Sequence, residues 1–202
     1  MADARSTDLR MSGRQRKEQI MKVAAGLFDT RGYQDTSMEA IAQQVGVRKA
    51  SLYYYFASKD ALLVQMHQEM IDLIIDAQQS RLDEGGLAPR ELLLAIMTDL
   101  VSLMETHPGH LRVFFEHFRE LPEQVRDEIA GKRDRYLRML VDVLERGVAE
   151  GEFRVADPGL TALAVLGMCN WTYQWFRPGG KRDAAEVARY FYDTLLGGIG
   201  ER

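Results

Sequence analysis

The stretch "VRKASLYYYFASK" sets Arg48, Lys49 and Lys59 around three consecutive tyrosines, Tyr53, Tyr54 and Tyr55. Successive residues of a helix point about 100° apart, so at most one or two of three adjacent rings can enter a single core. A ring left outside offers a stiff plane with one donor/acceptor hydroxyl at its tip, and the cations beside it attract phosphate. The chemistry on offer is nucleic-acid recognition, set against the plainer reading of an aromatic core beside a solvated basic face. A second set lies in "MCNWTYQWFRPGG", where Trp171 and Trp175 share a helix face and Arg177 follows, with Lys181 and Arg182 beyond. The planar fork of arginine suits phosphate, although both tryptophans would serve equally as core or as an interface between subunits. Phe114, Phe115 and Phe118 in "HPGHLRVFFEHFRELP" can wall an apolar ligand cavity or simply fill a core. His110 and His117, with Glu116 and Glu120 nearby, raise a metal site, but they lie about two helical turns apart rather than at the i, i+4 spacing of paired ligands, and no metal is assigned. Cys169 has no base beside it, and no Gly-rich phosphate loop, nucleophile elbow or paired metal motif occurs. The residues therefore read as a binding protein with no cofactor, not as an enzyme.

Composition fits that reading. The chain has 202 residues, 46% hydrophobic and 28% charged, which is ordinary for a folded protein. Its net charge of -4 is unevenly distributed: residues 1–60 carry 10 Lys/Arg against 7 Asp/Glu, and the remainder 16 against 23. A basic head before an acidic body is a plausible footprint for a DNA-reading element, because phosphate attraction is local. No apolar run approaches the roughly 18 residues of a membrane span, and "MADARSTDLRMSGRQRKEQ" lacks the apolar stretch of a secretion signal, so a cytoplasmic protein without a membrane partner is expected. One cysteine cannot build a disulfide framework.

The elements that must position these residues are helical throughout. Ile20, Val23, Ala24, Leu27 and Phe28 fall on one face of a first helix over residues 14–31, with Gly32 as a left-handed C-cap. "TSMEAIAQQVGV" starts with Thr36 and Glu39 in capping-box spacing and stops at Gly46, a second helix of about two turns. A third short helix over residues 49–55 uses Leu52 and Phe56 as core contacts, and Ser58 caps a long fourth helix. In the body, a helix is expected over residues 91–106, with breaks at "DEGGLAPR" and "HPGH". Leu137, Leu140, Val141 and Leu144 form an apolar face. Asp157-Pro158 starts another helix, which ends at "RPGG", and Asp183 and Glu186 open the last one as a capping pair. Two short helices about a glycine turn, packed on a longer first helix, make a helix-turn-helix whose second short helix enters the DNA major groove. Anchored from beneath by Leu52 and Phe56, that helix would send Lys49, Tyr53 and Tyr54 into the groove. Ser51, Tyr55 and Lys59 would then touch phosphates, and Tyr53 is the ring expected to pack partly inward.

Residues 14–61, with "AAGLFDTRGYQDTSMEAIAQQVGVRKASLYYYFASKDAL" at their centre, resemble the N-terminal domain of the TetR family of transcriptional regulators. Phe28, "RGY", Thr36-Ser37, Ile41-Ala42, Gly46-Val47, Leu52-Tyr53, Phe56 and Lys59 carry the resemblance. It implies an all-α protein: an N-terminal arm over residues 1–13, a three-helix helix-turn-helix domain over residues 14–61, and a helical ligand-binding and dimerisation domain over residues 62–202. It implies further that Lys49, Ala50, Tyr53 and Tyr54 face bases while Thr36, Ser51, Tyr55 and Lys59 hold the DNA backbone, with Arg48 adjoining. Arg48 and Ala50 depart from the family's usual small hydroxyl residue and glycine, so an operator sequence does not transfer.

The family resemblance also implies a homodimer on a palindromic operator, with the last two helices supplying the dimer contact. Leu160, Ala162, Leu163, Ala164, Leu166 and Gly167 give the first of these helices apolar character on most faces, which suits burial between domain and partner or within a monomer's core. The segment around Trp171 is similar to one in TetR-type regulators of fatty-acid and steroid breakdown that respond to acyl-coenzyme A thioesters. On that resemblance Trp171, Trp175 and Arg177 would meet the nucleotide and Phe114, Phe115 and Phe118 the acyl chain, in a repressor of lipid-degradation genes. The alternative is a TetR-type repressor that senses a lipophilic drug or signal and controls efflux.

Overall fold

The computed structural model describes residues 12–199, so most of the expected N-terminal arm lies outside the described residues. Ser12 and Gly13 of that arm are the cap and the first residue of the first helix. Nine α-helices and one short 3-10 helix are present among the described residues: α1 (Gly13–Arg31), α2 (Met38–Val45), α3 (Lys49–Tyr55), α4 (Lys59–Glu84), α5 (Pro89–Thr106), α6 (Pro108–Glu116), the 3-10 turn Phe118–Glu120, α7 (Glu123–Ala149), α8 (Pro158–Trp175) and α9 (Ala184–Ile199). The chain divides after Leu63 into two compact units. The first turn of α4 belongs to the earlier unit and the rest of that helix to the later one.

In the first unit, α1 opens on a reciprocal cap: Gln15 N–H donates to Ser12 Oγ (3.2 Å) and Ser12 N–H to Gln15 Oε1 (2.9 Å). Its buried face is Ile20, Met21, Ala24, Ala25, Leu27 and Phe28. Gly32 ends it at φ 87° and ψ 155°, a positive-φ turn but not the left-handed helical cap expected. The cap of α2 is Ser37, whose Oγ accepts from Ala40 N–H (3.1 Å). Thr36, read as that cap from its spacing to Glu39, is buried instead. Gly46 does adopt the left-handed conformation (φ 78°, ψ 32°). Gly46 N–H reaches Gln43 O and Val47 N–H reaches Ala42 O (3.0 Å), the paired bonds of a Schellman end. This turn redirects the chain into α3, which is pinned by fully buried Leu52 and by Phe56 at its C-cap. Ser58 Oγ then accepts from Ala61 N–H (3.0 Å) to start α4.

The second unit is built around α5, whose Leu92, Leu93, Ile96, Met97, Leu100, Val101, Leu103 and Met104 are buried against α6, α7, α8 and α9. Polar ties fix the ends. Ala184 N–H, at the start of α9, donates to Glu105 Oε1 on α5 (3.0 Å), and Arg90 Nη2 donates to Glu152 O (2.7 Å). Arg81 forks onto Asp99, and Lys132 pairs with Asp72 at 2.7 Å. The buried face of α7 is Ile129, Tyr136, Met139, Leu140, Val143 and Leu144. Leu137 and Val141, assigned to that face from sequence, are half-buried at its edge.

α8 separates the two alternatives left open by its apolar sequence, burial between domain and partner or within a monomer's core. Its cap is as expected, with Asp157 Oδ1 accepting from Leu160 N–H (2.9 Å) and Pro158 in the first turn. Yet only Ala162, Val165, Cys169 and Thr172 are buried, while Leu160, Leu163, Ala164, Gly167 and Trp171 are exposed along one side. The helix is therefore not enclosed by its own domain. α9 begins with Asp183 and Glu186 capping each other's backbone N–H (2.8 and 3.0 Å), and it exposes Tyr190. Among the described residues no helix is long and apolar enough to cross a membrane.

Candidate nucleic-acid interface and ligand cavity

The outward side of α3 collects most of the residues singled out in the sequence. Arg48 is its N-cap without a side-chain capping bond, and Lys49, Ala50 and Ser51 are exposed. Tyr54 is 84% exposed and Tyr53 44% exposed. Tyr55 is the ring that turns partly inward, not Tyr53, and it receives Tyr54 edge-on at 5.3 Å between centroids. With Leu52 beneath the helix, the 100° step leaves Tyr54 on the far side.

Lys49 meets a partner that the sequence reading passed over. Its Nζ lies 2.6 Å from Glu39 Oε1, both side chains being exposed. The hydrogen bond and opposite charge hold the Glu39 carboxyl below its ordinary value and Lys49 above. The signal was available in sequence as an acid on α2 ten positions before a base on α3, but that spacing has meaning only once the turn at Gly46 folds one helix back across the other.

One expected backbone contact is corrected, at Thr36, and another, Lys59, has further partners within the chain. Thr36 is 1% exposed, and its hydroxyl donates to Gly32 O (2.8 Å) and Leu27 O (3.3 Å), so it fastens the α1–α2 turn and does not reach phosphate. Lys59 Nζ donates to Tyr33 O (2.7 Å) and Gln34 O (3.2 Å) and sits 4.3 Å over the Tyr33 ring. Two of its three donors are thus committed to the loop, whose Tyr33 also bonds Asp60 through its hydroxyl and packs edge-on against Phe28.

In the second unit, a cavity of about 160 Å³ is lined by α4, α5, α6, α7 and α8. Phe114 and Phe115 form part of its wall together with Ile71, Leu103, Arg133 and Asn170. Phe118 does not line it; that ring packs under the Arg133 guanidinium at 4.3 Å. Trp171, Trp175 and Arg177 do not line it either. Trp175 and Arg177 border a separate, open cleft of about 550 Å³ with Lys181, Arg182 and Tyr190, and Trp171 is 61% exposed on α8. A run of rings leads from the cavity to the exposed side of α8: Phe114 meets Phe115 (5.4 Å), Phe115 stacks on Tyr173 (4.9 Å, 27°), and Tyr173 meets Trp171 edge-on (6.3 Å). Arg133 is the cavity residue that sequence reasoning missed, since a cation in the middle of an amphipathic helix resembles any solvated arginine.

Cys169 is fully buried and its thiol is pushed up to about 12 by desolvation, which suits a core residue and not a nucleophile. His117 Nδ1 lies 3.4 Å from Glu120 and His107 packs on His110, but no group of three metal-ligating side chains comes together among the described residues.

A seven-residue helix held outward by a glycine turn on a three-helix head defines a DNA-reading protein of the helix-turn-helix class. The chain belongs to the TetR family of bacterial regulators: residues 20–66 match bacterial regulatory proteins of the tetR family, and residues 86–199 match the tetracyclin repressor-like C-terminal domain. It is thus a transcriptional regulator, not an enzyme. It is 28% identical over 186 residues to the HTH-type transcriptional repressor KstR2 of Mycobacterium tuberculosis, covering 91% of this chain and 92% of that one. The solved structure of that ketosteroid transcriptional regulator superposes with a TM-score of 0.86 at 26% identity over 95% of this chain and 98% of that one. PfmR from Thermus thermophilus is 34% identical with a TM-score of 0.82, covering 91% and 99% of the two chains. AibR, solved in complex with isovaleryl coenzyme A and operator DNA, gives a TM-score of 0.77 at 28% identity, covering 89% and 97%.

The bonds of Lys59 generate a prediction that differs from that of a phosphate contact. Lys59→Ala should lower stability by about 1.5–3 kcal/mol, the usual size for hydrogen bonds to a charged group. Urea unfolding followed by circular dichroism reads this as a lower midpoint; an unchanged midpoint with weakened DNA binding would return Lys59 to a phosphate-contact role.

Proposed function

We propose that the protein is a homodimeric repressor that binds a palindromic operator through α3, acts in the cytoplasm where that DNA lies, controls genes of lipid breakdown, and is released by an acyl-coenzyme A effector. The observation that carries the effector reading is the apolar cavity walled by Phe114 and Phe115, from which the rings of Phe115, Tyr173 and Trp171 lead to the surface of α8. The acyl chain occupies the cavity and the nucleotide lies outside, near Trp171, Trp175 and the cationic cleft of Arg177, Lys181 and Arg182. AibR, with its isovaleryl coenzyme A and operator DNA, supports this pairing of ligand and target. KstR2, a ketosteroid regulator, supports the lipid assignment.

Release works through α4, one uninterrupted helix from Lys59, which holds the Tyr33 loop, to Ile74, which lines the cavity. A ligand that reshapes the wall at Met70, Ile71 and Ile74 alters the course of that helix. The shift in operator affinity equals the ligand's differential affinity for the two forms, typically about 1–3 kcal/mol. On DNA, Lys49, Ala50, Tyr53 and Tyr54 face bases while Arg48, Ser51 and Tyr55 contact the backbone. Lys49 leaves Glu39 to do so, at small cost because an exposed ion pair is weak. Two copies are required because one short helix reads only a few base pairs. The exposed Leu160, Leu163, Gly167 and Trp171 of α8, with Tyr190 of α9, form the surface that a second copy covers.

Three measurements test this reading. Tyr54→Ala and Lys49→Ala should each weaken operator binding by about 1–3 kcal/mol and relax specificity at one base position while the protein stays folded; unchanged operator affinity in either would mean α3 docks differently. A Cβ at Gly167 meets nothing within 4 Å inside the chain, so Gly167→Phe should leave helical content intact and yield a monomer by light scattering. A variant that remains dimeric moves the interface elsewhere. Finally, operator-bound protein titrated with coenzyme A, a fatty acid and its thioester should release DNA only with the thioester, and equal potency of the acid would remove the nucleotide role of Arg177 and favour a sensor of lipophilic compounds.

A further inference from the structure

Arg133 is placed in a way that its structural bonds do not account for. Its guanidinium lies between two phenyl faces, 4.3 Å from the Phe114 centroid and 4.3 Å from that of Phe118. Nη2 donates to Phe114 O at 3.1 Å, while Nε is buried and bonds nothing. No carboxylate of the described residues pairs with it, and burial alone pulls its affinity for a proton below the ordinary arginine value. The same side chain lines the 160 Å³ cavity, whose other walls are apolar apart from Tyr136 and Asn170. A partly desolvated cation against an apolar cavity is unfavourable unless something supplies an acceptor.

The cavity's size limits what can bring that acceptor. A protein cavity of about 150 Å³ lined by Leu, Ile and Phe holds benzene, so this one holds an apolar group of about six carbons. A steroid nucleus or a long acyl chain exceeds that volume and would have to extend through the cavity's mouth or push the walls apart. Resting on the acyl-thioester reading above, the geometry points to Arg133 as the residue that selects the effector: a short acyl group, about five or six carbons long, fills the cavity and presents its acyl oxygen to the Arg133 guanidinium. The two phenyl faces fix the plane of the fork, so the acceptor is met by a donor already oriented, which reduces the entropy lost on binding.

The test uses the full-length protein, with calorimetric titration of coenzyme A thioesters from short to long acyl chains and operator release measured in parallel. Affinity should rise to a maximum near about five or six carbons and fall beyond it; a continued rise to the long thioesters overturns the size limit. Arg133→Gln should lose about tenfold or more in affinity for the best thioester and leave operator binding without ligand unchanged, with Arg133→Lys falling between, as expected for a charged hydrogen bond. Wild-type thioester affinity in a folded Arg133→Gln protein overturns the arginine's role while leaving the effector class standing. If no thioester binds the unmodified protein, the effector reading fails and takes this inference with it. Leu166→Phe, which enlarges a side chain of the cavity wall and leaves Arg133 in place, gives an independent arm: it should move the optimum to shorter chains, and an unmoved optimum places the acyl group elsewhere. The free acid separates the two sources of an acyl oxygen. Binding equal to that of its thioester assigns the site to carboxylates and overturns the thioester form of the proposal.

Discussion

The burial of Leu52 and Phe56 beneath α3 is the constraint on which the DNA-reading head depends. A seven-residue helix is too short to persist in water, because nucleation is costly and isolated helices under about 12 residues are marginal. α3 exists because one residue in its middle and one at its end enter the core, and these same two contacts set its rotation. Everything outward follows from that rotation: Tyr54 in solvent, Tyr55 half covered, Lys49 beside Glu39. The turn at Gly46 serves the same end, since its left-handed conformation brings α3 across α2 at one fixed angle.

The second unit solves a different problem, which is to keep a space open inside a packed helical core. The large residues of α5 and α7 fill most of the interior, yet Phe114, Phe115 and Arg133 meet around a space of about 160 Å³. Phenyl rings stacked with a guanidinium and with Tyr173 cannot rotate freely to fill it. The polar ties at the ends of α5, through Glu105 and Arg90, limit how far its neighbours can close in. A unit that keeps such a space open gives up part of its packing energy for that volume.

The apolar side of α8 sets a third demand. Leu160, Leu163 and Trp171 exposed together form an apolar surface larger than single scattered residues would make, the kind of surface that a partner covers. The small residues Ala164 and Gly167 between them would let two such helices approach closely.

Much of the fold was legible in the sequence because it is written in local terms. Helical periodicity, the caps at Ser58, Asp157 and Asp183, and the glycine at position 46 act within a few residues of themselves, so the bounds of α3 and the start of α4 could be read directly. The type and place of the α3 residues were legible for the same reason. Thr36 and Lys59 were not: a hydroxyl and an ammonium look the same in sequence whether they meet phosphate or a carbonyl of the neighbouring loop, and only packing brought Gly32 O and Tyr33 O to them. For α8 the sequence left open whether its apolar sides meet a partner or a monomer's core, because composition records apolar residues but not which side a domain covers. The cavity was likewise beyond the sequence, since Phe114 and Arg133 are 19 positions apart and their meeting is decided by how α6 lies on α7. Sequence by itself determined the elements and most of their ends, through interactions between near neighbours, and its motifs pointed to the class of protein. Only the tertiary structure decided which polar groups are committed, which apolar faces stay open and where a cation meets an apolar cavity, because those depend on distances between residues far apart in the chain.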